Sequence, residues 1–229
     1  MSRPTTTIAI PLFDGFTALD AIGPYEALCR VPEAEVVFCG PQARTYRTDS
    51  GAVGMVADRS FDQVRSPEIL LVPGGIGTRR LLDPDGPYAA WLRSAHETST
   101  WTASVCTGSL MLAAAGILDG VDATTHWAAR DQLARLGANP VAERVVFRGK
   151  VVTAAGVSAG IDMALRLVEK IGGADLAKAI QLGIEYDPDP PHDCGSREKA
   201  DPELVELVGA LAAREERKVD EEREGRGVS

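Results

Sequence analysis

Trp101-Thr102-Ala103-Ser104-Val105, then Cys106-Thr107, then Gly108-Ser109-Leu110-Met111-Leu112-Ala113-Ala114-Ala115 is the stretch from which the fold can be read. An apolar extended run passes directly into a helical one, and a lone cysteine stands at the junction. A strand-to-helix turn this sharp lifts its side chain above the sheet edge and surrounds it with amide donors at the positive end of a helix. Such surroundings favour the thiolate, so the pattern predicts an acidified, nucleophilic Cys106 and a cysteine enzyme.

Working outward, strand-like runs recur at Thr7 to Phe13, Glu35 to Cys39 and Ile69 to Val72, with helix-like stretches between most of them. That alternation predicts a doubly wound α/β sandwich, a mostly parallel sheet wrapped by helices. Several strands are nearly continuous apolar runs, as expected when both faces are covered. Arg47 to Asp58 reads as a polar turn with a short strand or hairpin arm. Val145 to Thr153 reads as a second arm turning at Arg148-Gly149-Lys150. Ala159 to Ile171 and Asp175 to Ile184 have helical spacing, broken at Gly172-Gly173. Asp187-Pro188-Asp189-Pro190-Pro191 cannot be helical and reads as an arm. After it Asp201 can cap a helix with Pro202 at its first position.

Composition narrows the function classes. A chain of 229 residues, 45% hydrophobic, can bury a full core and suits one compact domain. The net charge of -9, with no Lys/Arg cluster along the chain to make a local basic surface, argues against nucleic acid and membrane partners. The N-terminus lacks the pattern of a secretory signal, and no run approaches the ~18 apolar residues that span a bilayer. Cys29, Cys39, Cys106 and Cys194 show no paired spacing for disulfides or zinc. A cytoplasmic protein is expected, with Cys29 and Cys39 as core thiols and Cys194 in an exposed loop.

In an open parallel sheet, ligands bind at the carboxyl ends of the strands. Three turns fall there: the one containing Asp20, the one reading Pro73-Gly74-Gly75-Ile76-Gly77, and the elbow. Asp20 lies among apolar neighbours, which would raise its pKa toward proton-donor values. The alternative is that it caps a helix beginning near Ala21, with Pro24 in the first turn. The amide of Gly75 could join that of Thr107 in an oxyanion hole. His126, in Thr124-Thr125-His126-Trp127, is the candidate base of a Cys/His pair. The preferred reading is a structural histidine behind the elbow, because a helix N-terminus can acidify the thiol without it. His96 and His192 have surface-like contexts, and no spacing suggests a metal.

The strings Ser104-Val105-Cys106-Thr107-Gly108-Ser109-Leu110, Ala113 to Gly120 and Ala123-Thr124-Thr125-His126-Trp127 closely resemble the DJ-1/PfpI superfamily, and within it the isonitrile (isocyanide) hydratase branch. Leu19 to Pro24, Val72 to Gly75, Gly156-Val157-Ser158-Ala159-Gly160-Ile161-Asp162 and Gln181 to Tyr186 extend the match, which runs from about Thr7 to Ser196. The resemblance implies a flavodoxin-like fold over residues 1–196, while the capping signal at Asp201 and the charged end read as a C-terminal helix and tail, 197–229, on or extending from the same domain. It also implies a homodimer acting on an isocyanide and water without a cofactor. Cys106 would be the nucleophile and Asp20 the proton-handling carboxyl, with Thr107 beside them and Gly74, Gly75 and Val157 near the substrate.

Thr107 stands where the protease-like branch has a histidine, which weakens a peptidase reading, and Asp20 replaces the glutamate of the DJ-1 branch. The elbow and the Thr-Thr-His-Trp motif also resemble the sensor domains of AraC-type regulators. A non-catalytic or redox-sensing protein with an oxidisable Cys106, and a glyoxalase-type enzyme, are the alternative readings.

Overall fold

The computed structural model describes residues 6–226, so the first five and last three residues of the expected spans lie outside the described residues. Eleven strands are drawn among them: β1 (Thr6–Pro11), β2 (Ala34–Gly40), β3 (Arg44–Arg47), β4 (Gly54–Ala57), β5 (Arg59–Ser60), β6 (Ile69–Val72), β7 (Trp101–Val105), β8 (Asp122–Ala123), β9 (Asn139–Pro140), β10 (Val145–Arg148) and β11 (Val151–Ala154). Seven of them form one sheet in the order β10-β11-β7-β6-β1-β2-β5. Every pairing in it is parallel except β10 with β11. The register sets Ile8 opposite both Val36 and Ile69, and Ser104 opposite both Val72 and Thr153.

The helices are α1 (Ala18–Leu28), α2 (Pro87–Thr98), α3 (Gly108–Ala114), α4 (Arg130–Arg135), α5 (Ala159–Gly172), α6 (Ala174–Gly183) and α7 (Pro202–Arg226). α1 packs on α5 and α5 on α6, while α2 and α4 pack on α3, giving a helical layer on each face. Coverage on both faces explains why the central strands are uniformly apolar: Ile8, Ala9, Ile10 and Ile69 to Val72 are all buried. The fold is the doubly wound α/β sandwich that the alternation of runs predicts, of the flavodoxin-like kind that the family resemblance implies.

The two hairpin arms differ in their fates. β3 and β4 pair antiparallel as a ribbon outside the main sheet. β10 and β11 close through Gly149, whose φ of 57° suits glycine, and β11 then joins β7, so this arm ends the sheet. The proline-bearing stretch after α6 has no regular structure, and α7 begins at Pro202 as its capping signal requires. α7 runs along the 3₁₀ turn Ile76–Leu81 and brings Gly209 against Trp127.

Candidate active site

Cys106 follows directly on β7 and has φ of 56°, a left-handed conformation that costs a non-glycine residue on the order of 1 kcal/mol or more. The surroundings hold it there. Its N–H donates to the carbonyls of Ala154 and Ala155 at 3.1 and 2.9 Å, and its carbonyl accepts from Ser109 Oγ and Thr125 Oγ1 at 3.1 and 3.0 Å. A Cβ on Gly108 would fall 2.2 Å from the Val72 carbonyl oxygen, so only glycine lets α3 leave the sheet this steeply.

Asp20 is the third residue of α1, with Thr17 at the cap position, which rules out the capping role. Its side chain is fully buried. Oδ2 accepts from the Gly74 amide at 2.9 Å, and Oδ1 has no hydrogen-bond partner among the described residues. Burial pushes the carboxyl from 3.8 up to about 7, against the opposing pull of the Gly74 amide and of a hydrogen bond with the Cys106 side chain. Gly74 is what makes this approach possible, since a Cβ there would stand 2.8 Å from Asp20 Oδ2 and 2.5 Å from the Thr107 nitrogen.

The structure corrects two expectations. Cys106 is only 6% exposed, and burial followed by the nearby Asp20 charge pushes its thiol above the ordinary range. The amides of Thr107 and Val157 and the Thr107 hydroxyl pull the other way without prevailing. A short helix cannot supply enough field to offset a desolvated sulfur beside a carboxylate. At rest the sulfur is therefore a protonated thiol beside a carboxyl whose pKa is pushed up to about 7.

The second correction concerns the oxyanion hole. The Gly75 amide donates to Thr107 Oγ1 at 2.9 Å, and that hydroxyl donates back to the Gly75 carbonyl at 3.2 Å. Gly74 and Gly75 thus have both amides engaged in joining the Pro73 turn to Asp20 and Thr107, while the Thr107 and Val157 amides face the sulfur.

His126 lies at the mouth with no hydrogen bond to Cys106. Its Nδ1 accepts from the Ala128 amide at 3.4 Å, and burial, then Arg130, holds its pKa below the usual imidazole value. The Thr-Thr-His-Trp motif serves the elbow chiefly through Thr125. Cys39 is a buried thiol and Cys194 an exposed one, as expected, whereas Cys29 is half-buried. His96, expected at the surface, is half-buried against Thr102 Oγ1 at 2.8 Å, and His192 is exposed.

Above the sulfur is a pocket of about 200 Å³ that also reaches Thr17, Leu110, Arg79 and Gln132, the last two joined at 3.2 Å. None of these four was singled out by sequence. Thr17, adjoining Ala18-Leu19-Asp20, carried the one local signal available, and Gln132 carried none.

Depth, left-handed backbone and the neighbouring carboxyl together define a cysteine-centred α/β protein of the elbow type. The DJ-1/PfpI family model matches residues 6–170, and the chain belongs to that family. It is 38% identical to an isonitrile hydratase of Pseudomonas putida over 206 residues, 90% of each chain. The structure of a ThiJ/PfpI family protein from Pseudomonas syringae superposes with a TM-score of 0.88 at 34% identity, covering 94% of this chain and 89% of that one. Over 139 residues, 60% of this chain and 40% of the other, it is also 30% identical to the HTH-type transcriptional regulator CdhR of Pseudomonas aeruginosa.

Proposed function

We propose that the protein is an isonitrile hydratase, adding water to an isocyanide to give an N-substituted formamide. The observation that carries this reading is the pairing of Cys106 with a buried Asp20 whose free oxygen and pKa of about 7 equip it to take and return one proton. The likeness to the hydratase over 90% of both chains supports the choice of substrate.

Asp20, in its ionised form, accepts the Cys106 proton as Sγ attacks the terminal isocyanide carbon, and the carboxyl then delivers that proton to the same carbon, leaving a thioimidate and the carboxylate restored. Water adds across the C=N bond, its oxygen to carbon and one proton to nitrogen. Collapse of this adduct forms the formyl C=O and breaks the C–S bond. The hydroxyl proton returns through Asp20 to sulfur, so thiol and carboxyl end as they began. Addition to an isocyanide builds no oxyanion in its first step, which accords with the engaged Gly74 and Gly75 amides. The Thr107 and Val157 amides stabilise sulfur as charge grows on it. The same reading carries a cytoplasmic homodimer that needs no cofactor.

The test is formamide production from cyclohexyl and phenyl isocyanide. Cys106→Ala should abolish turnover and Asp20→Asn should lower it by at least about a hundredfold, the upper part of the usual general acid–base contribution. Undiminished turnover by Cys106→Ala, or lactate from methylglyoxal in place of formamide, overturns the reading.

A further inference from the structure

A larger cavity of about 480 Å³ lies beside the Cys106 pocket, and His126 and Val157 line both, so the two spaces meet at those side chains. Its wall is partly apolar, with Trp127 and Leu19, and its charge departs from that of the chain. Arg130, Arg144 and Arg197 line it against two carboxylates, Glu143 and Glu198, in a protein of net charge -9. Folding has gathered three arginines that are scattered along the sequence, beside nearly as many carboxylates.

The three guanidinium groups are not equally occupied. Arg144 is engaged with Asp162 Oδ2 at 2.5 Å and Ser158 Oγ at 3.3 Å. Arg130 reaches Glu198 Oε1 through a single nitrogen at 3.2 Å, and its buried Nε has no hydrogen-bond partner among the described residues. Arg197 lies over the Trp127 ring at 5.9 Å, and among the described residues no carboxylate pairs with it. Glu198 is itself exposed on the irregular arm after α6, where its own amide, then Arg130 and Ser196, hold its carboxyl below the usual range, so an incoming carboxylate competes with it for Arg130 in contact with solvent.

We infer that this cavity receives the N-substituent of the isocyanide and that the substituent carries a carboxylate, held by Arg197 and by Arg130 in exchange for Glu198. The inference rests on the hydratase reading. A substituent too large for the pocket over Cys106 must extend past His126 and Val157, and its methylenes then run along Trp127 and Leu19. A carboxylate arriving at Arg130 can form a forked pair in place of the one-nitrogen contact to Glu198.

The experiment compares a series of ω-isocyanoalkanoates of two to six carbons with their methyl esters, which differ in charge at the same skeleton, by kcat/KM for formamide release. For at least one chain length the acid should exceed its ester by about tenfold or more, the range of a charge-assisted hydrogen bond. Arg197→Gln, on an exposed arm where folding is not at stake, and Arg130→Gln should each bring the acid-to-ester ratio toward one, and Glu198→Gln should raise it. Esters matching or exceeding acids at every length, or a preference that survives both arginine variants, overturns the inference and leaves the hydratase reading standing. Absence of turnover on acids and esters alike overturns the inference, and it removes the hydratase reading as well only if cyclohexyl and phenyl isocyanide also go unturned.

Discussion

Replacing Asp20 with asparagine should stabilise the protein while disabling it, and the gain should depend on pH in a specified direction. The folded carboxyl holds its proton up to about 7, whereas in the unfolded chain it ionises near 3.8. Between those values the folded state binds more protons than the unfolded one, so raising the pH erodes stability across that window. The full loss is roughly 4 kcal/mol at about 1.4 kcal/mol per pH unit. Asparagine keeps an oxygen for the Gly74 amide and carries no charge, so it escapes this loss. Its buried amide costs about 1 to 3 kcal/mol in return.

The difference between variant and wild type should therefore move in favour of Asp20→Asn by about 2 to 4 kcal/mol between pH 4 and pH 8. Titrations elsewhere in the chain are common to both proteins and cancel. Urea unfolding of the two, followed by tryptophan fluorescence at four pH values, measures this directly. A difference that stays flat with pH, or moves the other way, refutes the description of Asp20 as a desolvated carboxyl.

Gly74→Ala should cost at least about tenfold in kcat with the fold intact by circular dichroism, because its Cβ would press on the Thr107 nitrogen and Asp20 Oδ2 at once. Thr107→Val removes the hydroxyl that joins the Pro73 turn to the elbow and should lower stability by about 1 to 2 kcal/mol, read from the urea midpoint. Iodoacetamide at pH 8 should label the exposed Cys194 well before Cys106, and mass spectrometry of the peptides gives the order; earlier labelling of Cys106 would contradict its buried, alkaline thiol.

What could be read from the sequence follows from how local each signal is. The strands at Thr7, Glu35, Ile69 and Trp101 were legible because a buried parallel sheet demands continuous apolar runs, and the elbow was legible because strand and helix patterns abut at one cysteine. Asp20 stood out as a carboxylate in apolar surroundings, but the start of α1 did not. Thr17 holds the cap position without a capping side-chain hydrogen bond, its hydroxyl going instead to Asp49 Oδ2 at 2.8 Å. The state of the Cys106 thiol is not legible in the sequence, which displays the helix that follows it and hides the burial and the carboxylate beside it. The engagement of Gly75 depends on a hydroxyl 32 residues away, and the arginine-lined cavity on residues from α4, the stretch before β10 and the arm. Such non-local meetings leave no periodic trace.

The two margins of the main sheet limit how copies of this protein can meet. One is β5, just two residues long, and the other is β10, four residues long and tied at its end by the Arg148 to Asp122 pair at 3.0 Å. Short, charged borders offer an incoming chain little backbone to zip against, which guards against fibril-like growth. By contrast Leu204, Leu207, Val208 and Leu211 leave a row of apolar side chains uncovered on α7, where contact with another surface would be made by side chains and not by backbone.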